Sequence, residues 1–193
     1  EEAVEALRAH KTGLMQQLFP RPGETTPRLR FPEFRDAGPW EVKRLGDYVE
    51  QKAGNSKLIK GKLHPEPNEN RFPGFSASGQ DVWLDSFEHE GPAIVVSAVG
   101  ARCGRCFLAT GQWSAIANTH ILFPRETDVN IHFLYEVVTR DGFWVISGSG
   151  QPFVKVGESL EQRIALPSLA EQQKIADCLT SLDDLIRARE ARL

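Results

Sequence analysis

Two stretches of this 193-residue chain repeat an apolar residue at alternating steps of three and four, and they lie at its opposite ends. Near the start, Val4, Leu7, Leu14 and Leu18 keep the interval with Lys11 in the intervening place, and Pro20 ends the run. Near the end, Ile175, Leu179, Leu182, Ile186 and Leu193 continue it, with Arg189 where an apolar residue is skipped. A 3.5-residue repeat is the seam of a helix lying along another helix, so coiled-coil-type helices are predicted over residues 1–19 and 168–193. Ser168 and Glu171, directly after Leu166-Pro167, form a capping-box pattern in which hydroxyl and carboxylate each satisfy an orphan backbone N–H. The first pattern opens without a cap and the second reaches Leu193 without a Gly or Pro stop, so both helices are expected to be partial. Seams this short are marginal alone. Self-association is the expected remedy, a homodimer in which residues 1–19 of one chain pair with 168–193 of another.

Between the seams the pattern changes. Pro20, Pro22, Pro27, Pro32 and Pro39, with Gly23 and Gly38, predict an extended linker over residues 20–43. Short apolar runs at Ala93–Val99, Cys106–Ala109 and His120–Phe123 predict core strands, and Phe143–Ile146 and Phe153–Val156 flank a Gly/Ser loop. Ile131, Leu134, Tyr135 and Val138 share one face of a short helix predicted over Asn130–Thr139. The fold class expected is α+β: one mixed α/β domain over residues 44–165, flanked by two long coiled-coil-type helices.

Composition narrows the picture little. Hydrophobic content of 40% and charged content of 25% fit one globular domain with extensions. No apolar run approaches the ~20 residues a bilayer requires, and no signal-peptide pattern opens the chain, so a cytoplasmic location is expected. The net charge of −3 argues mildly against nucleic acid as a partner, but its distribution argues back. Lys52, Lys57, Lys60 and Lys62 occur with no acid among them, while Asp81, Asp85, Glu88 and Glu90 cluster later. Such unevenness leaves a basic face available to phosphates.

Catalytic patterns are weak. Cys103-Gly-Arg-Cys106 is a CxxC with no second CxxC or nearby His pair, so it reads as two reduced thiols and no metal is expected; Cys178 reads as a small buried residue. Glu41 and Lys43 with Asp36 mimic a nuclease carboxylate–lysine pair, but metal-dependent cleavage needs carboxylates converging from adjacent strands, and Pro39 interrupts the region. A methyltransferase would carry a Gly-rich cofactor loop after a strand and an Asn/Asp-Pro-Pro-aromatic motif. Neither is present, since Gly74-Phe-Ser-Ala-Ser-Gly79 has no predicted strand before it. The chain is expected not to be an enzyme and to hold no cofactor.

The blocks Leu166-Pro-Ser-Leu-Ala-Glu-Gln-Gln-Lys-Ile-Ala176 and Leu182-Asp-Asp-Leu-Ile186 resemble the conserved helix of type I restriction–modification specificity subunits. His10-Lys-Thr-Gly-Leu-Met-Gln-Gln-Leu-Phe-Pro20 and Pro27-Arg-Leu-Arg-Phe-Pro-Glu-Phe34 resemble the block where a helix hands over to the next recognition domain. Arg44-Leu-Gly-Asp47 and Ser147-Gly-Ser-Gly-Gln-Pro152 resemble the opening and a late loop of that domain. A complete subunit of this kind resembles two recognition domains and two long helices; here there is one domain with two partial helices.

The resemblance implies a target recognition domain that reads one half of a bipartite double-stranded DNA target. It implies helices that set the spacing and dock methyltransferase subunits, with a restriction/translocase subunit reached indirectly. S-adenosylmethionine would then belong to the methyltransferase and ATP to the translocase. A rival reading is a protein-only interaction module, or decoy, that occupies methyltransferase subunits without touching DNA. For DNA contact the candidates are Lys52, Lys57, Lys60 and Lys62, the glycine-flexed turn bearing Arg102 and Arg105, Asn118 and His120 at the entrance to a strand, and Ser149, Gln151 and Lys155 around the Gly/Ser loop. Arg suits paired contacts with guanine or phosphate, and a Gln amide can pair with adenine.

Overall fold

The computed structural model describes residues 2–125 and 129–192. Its first part runs α1 (Glu2–Leu18), β1 (Glu41–Arg44), the single-turn α2 (Leu45–Tyr48), β2 (Val49–Ala53), β3 (Phe72–Ser76), β4 (Gly79–Leu84), β5 (His89–Glu90) and β6 (Ala93–Ser97). There follow β7 (Cys106–Ala109), β8 (Gln112–Ala115), β9 (Thr119–Pro124), α3 (Ile131–Val138), β10 (Ile146–Ser147), β11 (Phe153–Val154), α4 (Val156–Leu160), β12 (Arg163–Leu166) and α5 (Leu169–Glu190). The chain divides into two compact units, a helical one of residues 1–43 with 163–193 and a sheet unit of residues 44–162.

In the helical unit α1 and α5 run antiparallel, because Arg8 pairs with Glu190 while Lys11 meets Asp183 at 2.7 Å. Val4, Leu18, Ile175, Leu179 and Ile186 are buried, and Leu7, Leu14 and Leu182 are half-buried; Leu193 lies outside the described residues. The two seams therefore meet within one chain. This corrects the pairing expected between chains, and the cause is the linker. It folds back on α1 through Leu29 N–H donating to the Gln17 carbonyl, and on itself through Trp40 N–H donating to that of Thr25. Apart from a 3-10 turn at Pro32–Phe34 the linker has no helix, yet it is firmly held. Trp40 sets its ring edge-on to Phe19 at 6.1 Å, and Lys174 of α5 meets Glu33 at 3.1 Å.

The tightest link is a buried ion pair. Arg30 donates from Nε and Nη2 to the two carboxylate oxygens of Glu171 at 2.9 and 2.5 Å, with side chains only 7% and 2% exposed. The Glu171 hydrogen bond is the chief cause holding the Arg30 guanidinium above its ordinary pKa. Arg30 also donates to the Ala37 and Gly38 carbonyls. The capping pattern thus holds in one half: Ser168 Oγ accepts from Glu171 N–H at 3.4 Å, while the carboxylate serves Arg30. β1 and β12 pair in a two-stranded sheet.

The sheet unit is built around β6, whose five residues Ala-Ile-Val-Val-Ser are all buried. It lies inside an antiparallel sheet of order β2-β9-β6-β7, and a second sheet of order β4-β3-β8-β5 contains the parallel pair β3–β8. Ala93 and Val95, alternating along β6, pack with Phe75 and Trp113 of the second sheet. On the first sheet's other side α3 contacts β6 and β7. Asn130 caps α3 by accepting from Phe133 N–H at 3.0 Å. Burial extends past the predicted face of α3 to Phe133 and Val137, as befits a helix closing a layer.

Strand β3 is a difference from expectation. Gly74-Phe-Ser-Ala-Ser-Gly79 is a hairpin joining β3 to β4, with a register shift at Gly74/Phe75. Pro73 and Gly74 lower strand propensity locally, but a Cβ at Gly74 would press on Val82 and Leu84, so close packing requires the glycine. Since a strand and not a helix follows, the segment still lacks the form of a cofactor loop.

Candidate nucleic-acid interface

Four separate segments meet at one end of the first sheet. The β8–β9 turn is the hub, where Asn118 adopts a left-handed backbone (φ 66°). Its carbonyl accepts from Ala98 N–H at 2.9 Å, which ties it to the segment after β6. That segment bends into the arginine turn, closed by Cys103 N–H to the Gly100 carbonyl and Arg105 N–H to that of Arg102. Gly100 N–H reaches the Pro152 carbonyl at 2.8 Å, and Val99 bridges Phe153, so the Gly/Ser loop sits beside the arginines. On the hub's other side, Gly54 N–H donates to Thr119 and Asn55 N–H to Ala115. The lysine loop is thereby fastened to the same turn.

The geometry joins some candidates and separates others. Arg102, Arg105, Asn118, Ser149 and Gln151 are exposed on adjoining turns. Lys57 is exposed on a turn shaped by Asn55, whose Oδ1 accepts from Lys57 N–H and whose Nδ2 donates to Glu88 at 2.5 Å. Lys62 is exposed, and Lys60 is ion-paired to Asp81 of β4. Lys52 stands apart, on the edge strand β2 over the Phe123 ring at 5.3 Å and near Glu50. Lys155 is paired to Glu158 at 2.7 Å.

His120 is half-buried and engaged, with Nδ1 3.3 Å from Gln51 Nε2 and a further bond to the Val154 backbone. Burial is the main cause holding its pKa below the ordinary value. Its ring joins β9 to β2 and β11, so it braces the strands that carry the loops. Neither Gln51 nor Asn55 was singled out by sequence reasoning. The Gly54-Asn55 dipeptide is a turn signal that could have found the second.

Gly54 is the tightest point of this assembly. A Cβ there would collide with the Ile116 carbonyl oxygen and the Thr119 hydroxyl, whereas one at Gly61 meets open space. Gly54→Ala is expected to destabilise the chain by roughly 1–3 kcal/mol in urea denaturation, the usual range for overpacking. Gly61→Ala should leave the midpoint unchanged, and equal effects would contradict the hub.

Cys103, Cys106 and Cys178 are free thiols, and Cys106 is pushed up to about 12 by burial. Glu41 and Lys43 form an ion pair at 3.1 Å. Among the described residues no cluster of His, Cys, Asp and Glu could hold a metal ion, and no helix is long and apolar enough to cross a membrane.

A family model, "Type I restriction modification DNA specificity domain", matches residues 38–193. The chain is 25% identical over 163 residues to the Escherichia coli type I restriction enzyme EcoDI specificity subunit, covering 80% of this chain and 33% of that protein. To the Escherichia coli EcoprrI specificity subunit it is 24% identical over 144 residues, covering 74% and 36%. It therefore spans about a third of the length of these curated relatives. Among solved structures, the type I restriction–modification S subunit of M. genitalium superposes with a TM-score of 0.72 at 15% identity, over 98% of this chain and 50% of that one. The HsdS subunit of Thermoanaerobacter tengcongensis gives 0.61 at 17% identity, over 100% and 47%. With the family model covering the sheet unit and α5 together, the chain belongs to the type I restriction–modification DNA specificity domain family.

Proposed function

We propose that the sheet unit reads one half of a bipartite duplex-DNA target through the turns gathered around Asn118. The helices α1 and α5 would then dock DNA methyltransferase subunits and set the spacing to a second recognition domain. The observation carrying this reading is that gathering. Segments far apart in sequence put Arg102, Arg105, Gln151 and Lys57 on adjoining exposed turns, each anchored to the sheet by backbone hydrogen bonds. Recognition loops need that combination of polar tips and a rigid base. A protein-only module or decoy would need the helices but not these turns. In this reading the chain supplies no catalytic group. S-adenosylmethionine and ATP are handled by the methyltransferase and the restriction/translocase subunits, in the cytoplasm, and a second copy of the chain is one source of the second domain.

The test uses the chain assembled with its methyltransferase subunits. Duplex binding should weaken steeply with salt, because phosphate contacts release counterions. Lys57→Ala with Lys62→Ala should lower affinity on every sequence alike and reduce the logarithmic salt slope by about one for each phosphate no longer neutralised. Arg102→Ala and Gln151→Ala should instead blur discrimination among sequences, by about 1–3 kcal/mol for each base edge left unread. Unchanged binding and discrimination with all four replaced would overturn the assignment.

A further inference from the structure

Beside the arginine turn, and sharing Arg105 with it, lies a pocket of about 390 Å³. Cys103, Gly104 and Arg105 form one wall, the end of α3 with Arg140 and Asp141 a second, and Phe143, Trp144 and Ile146 a third. Its size falls at the lower end of the range for small-molecule sites, ~300–1,000 Å³. The walls are firmly set. Phe143 and Trp144 stand edge to face at 5.4 Å, and Gly104 lies so close to Trp144 that a Cβ would come within 3.3 Å of the indole. Tyr135, also in the lining, donates its hydroxyl to the Cys106 carbonyl at 3.3 Å.

The chemistry of the lining selects among ligands. Arg105 and Arg140 offer guanidinium donors, while Asp141 offers an acceptor and three aromatic rings offer faces or edges. Glu136, one helical turn before Arg140, already acts on its charge. A bare inorganic anion would gain little from a site that holds a carboxylate and a partly compensated arginine. A planar heterocycle carrying both donors and acceptors, with a phosphate attached, would use every one of these features. We propose that this pocket binds a single nucleotide, its base against the aromatic wall with Asp141 at its edge and its phosphate on the arginines.

Two sources share that chemistry: a free mononucleotide, or a nucleotide swung out of duplex DNA. The second rests on the DNA-reading proposal, and position favours it. Cys103–Arg105 belongs both to the pocket wall and to the arginine turn, and Ile146 begins the hairpin that carries the Gly/Ser loop. Extruding a base gives up stacking and pairing, which a shaped pocket can offset.

The thiol of Cys103 provides a readout that does not depend on activity. It is partly exposed in the pocket wall, whereas Cys106 is buried. In the full chain, alkylation at Cys103 should slow at least threefold in the presence of millimolar deoxynucleoside monophosphates and be unaffected by the same concentration of inorganic phosphate. Arg140→Leu and Asp141→Asn should each remove the protection. If Arg140→Leu fails to fold, the exposed Asp141→Asn still decides. No protection by any of the four nucleotides, or equal protection by phosphate, overturns the proposal.

The sources are separated by duplexes carrying 2-aminopurine at successive target positions, bound in the methyltransferase assembly. A rise in fluorescence at one position, lost in Asp141→Asn, identifies the extruded base. Protection by mononucleotides with no rise at any position assigns the pocket to free nucleotides and excludes extrusion. Failure of the DNA-reading proposal alone would appear as loss of the salt-dependent duplex binding while mononucleotide protection of Cys103 persists.

Discussion

Glu171→Leu is expected to destabilise the helical unit by about 3–5 kcal/mol, because it strands the buried Arg30 guanidinium without its counter-charge. Arg30 would keep its bonds to the Ala37 and Gly38 carbonyls, so the charge stays in place and cannot turn out to water without breaking the linker. The double variant Arg30→Met, Glu171→Leu removes both charges from a site that is already closed, and should recover most of the loss. Native-state hydrogen exchange of the α5 amides reads this directly, since these amides report on the helical unit. A single variant costing under 1 kcal/mol would mean that the pair is a bystander. The exposed pair Arg8–Glu190 is the internal control. Its removal should change exchange by no more than about 1 kcal/mol, as is usual for surface ion pairs.

That pair also explains what the resembling blocks have in common. Residues 27–34 and 166–176 are distant in sequence and their patterns give no hint of contact. In the fold, Arg30 meets Glu171, Glu33 meets Lys174, and the Lys174 ammonium lies 5.6 Å from the centroid of the Phe31 ring. The helices themselves were legible because a 3.5-residue seam follows directly from helix geometry, and Pro20 and Ser168 marked their ends to within two residues. Their partner was not legible. A seam states that another helix is needed and not whose it is, and folding back by the linker supplied it from the same chain.

The sheet unit was readable where apolar runs are pure and opaque where packing overrides propensity. β6, β7 and β9 stood out by their apolar runs. β2, with Glu50, Gln51 and Lys52, carries no such run, because an edge strand buries little. β3 was hidden by Pro73 and Gly74, and β8, no shorter than β7, mixes Gln112 and Ser114 into its run. The site was legible as a set of turns, since Gly100, Gly104 and the Gly/Ser loop announce themselves. Their convergence on Asn118 depends on non-local strand order, which no local pattern encodes. For the same reason the pattern makes His120 a reader: its place at the entrance to a strand suggests exposure, and only the sheet shows that Gln51 and Val154 occupy its ring.

Inserting seven residues between Ser181 and Leu182 is expected to change the spacer of the DNA target without changing the bases read, if the helices space two recognition domains as proposed. At about 1.5 Å per residue the insertion lengthens α5 by about 10 Å, close to three base pairs of ~3.4 Å each. One heptad turns the helix by only about 20° from its starting phase, so Ile186 still faces the side that buries Leu179. The pairs Lys11–Asp183 and Arg8–Glu190 would be pulled out of register; the exposed Arg8–Glu190 contributes little, the partly buried Lys11–Asp183 is the larger loss, and the apolar face is left to hold the helices together. Five inserted residues would rotate the seam by about 140° and expose Ile186, so that variant should assemble poorly. Methylome sequencing of cells carrying the heptad variant gives the answer: half-sites unchanged and a spacer longer by about three base pairs. Altered half-site bases over an unchanged spacer would refute the separation of ruler from reader, because no turn around Asn118 lies within the lengthened helix.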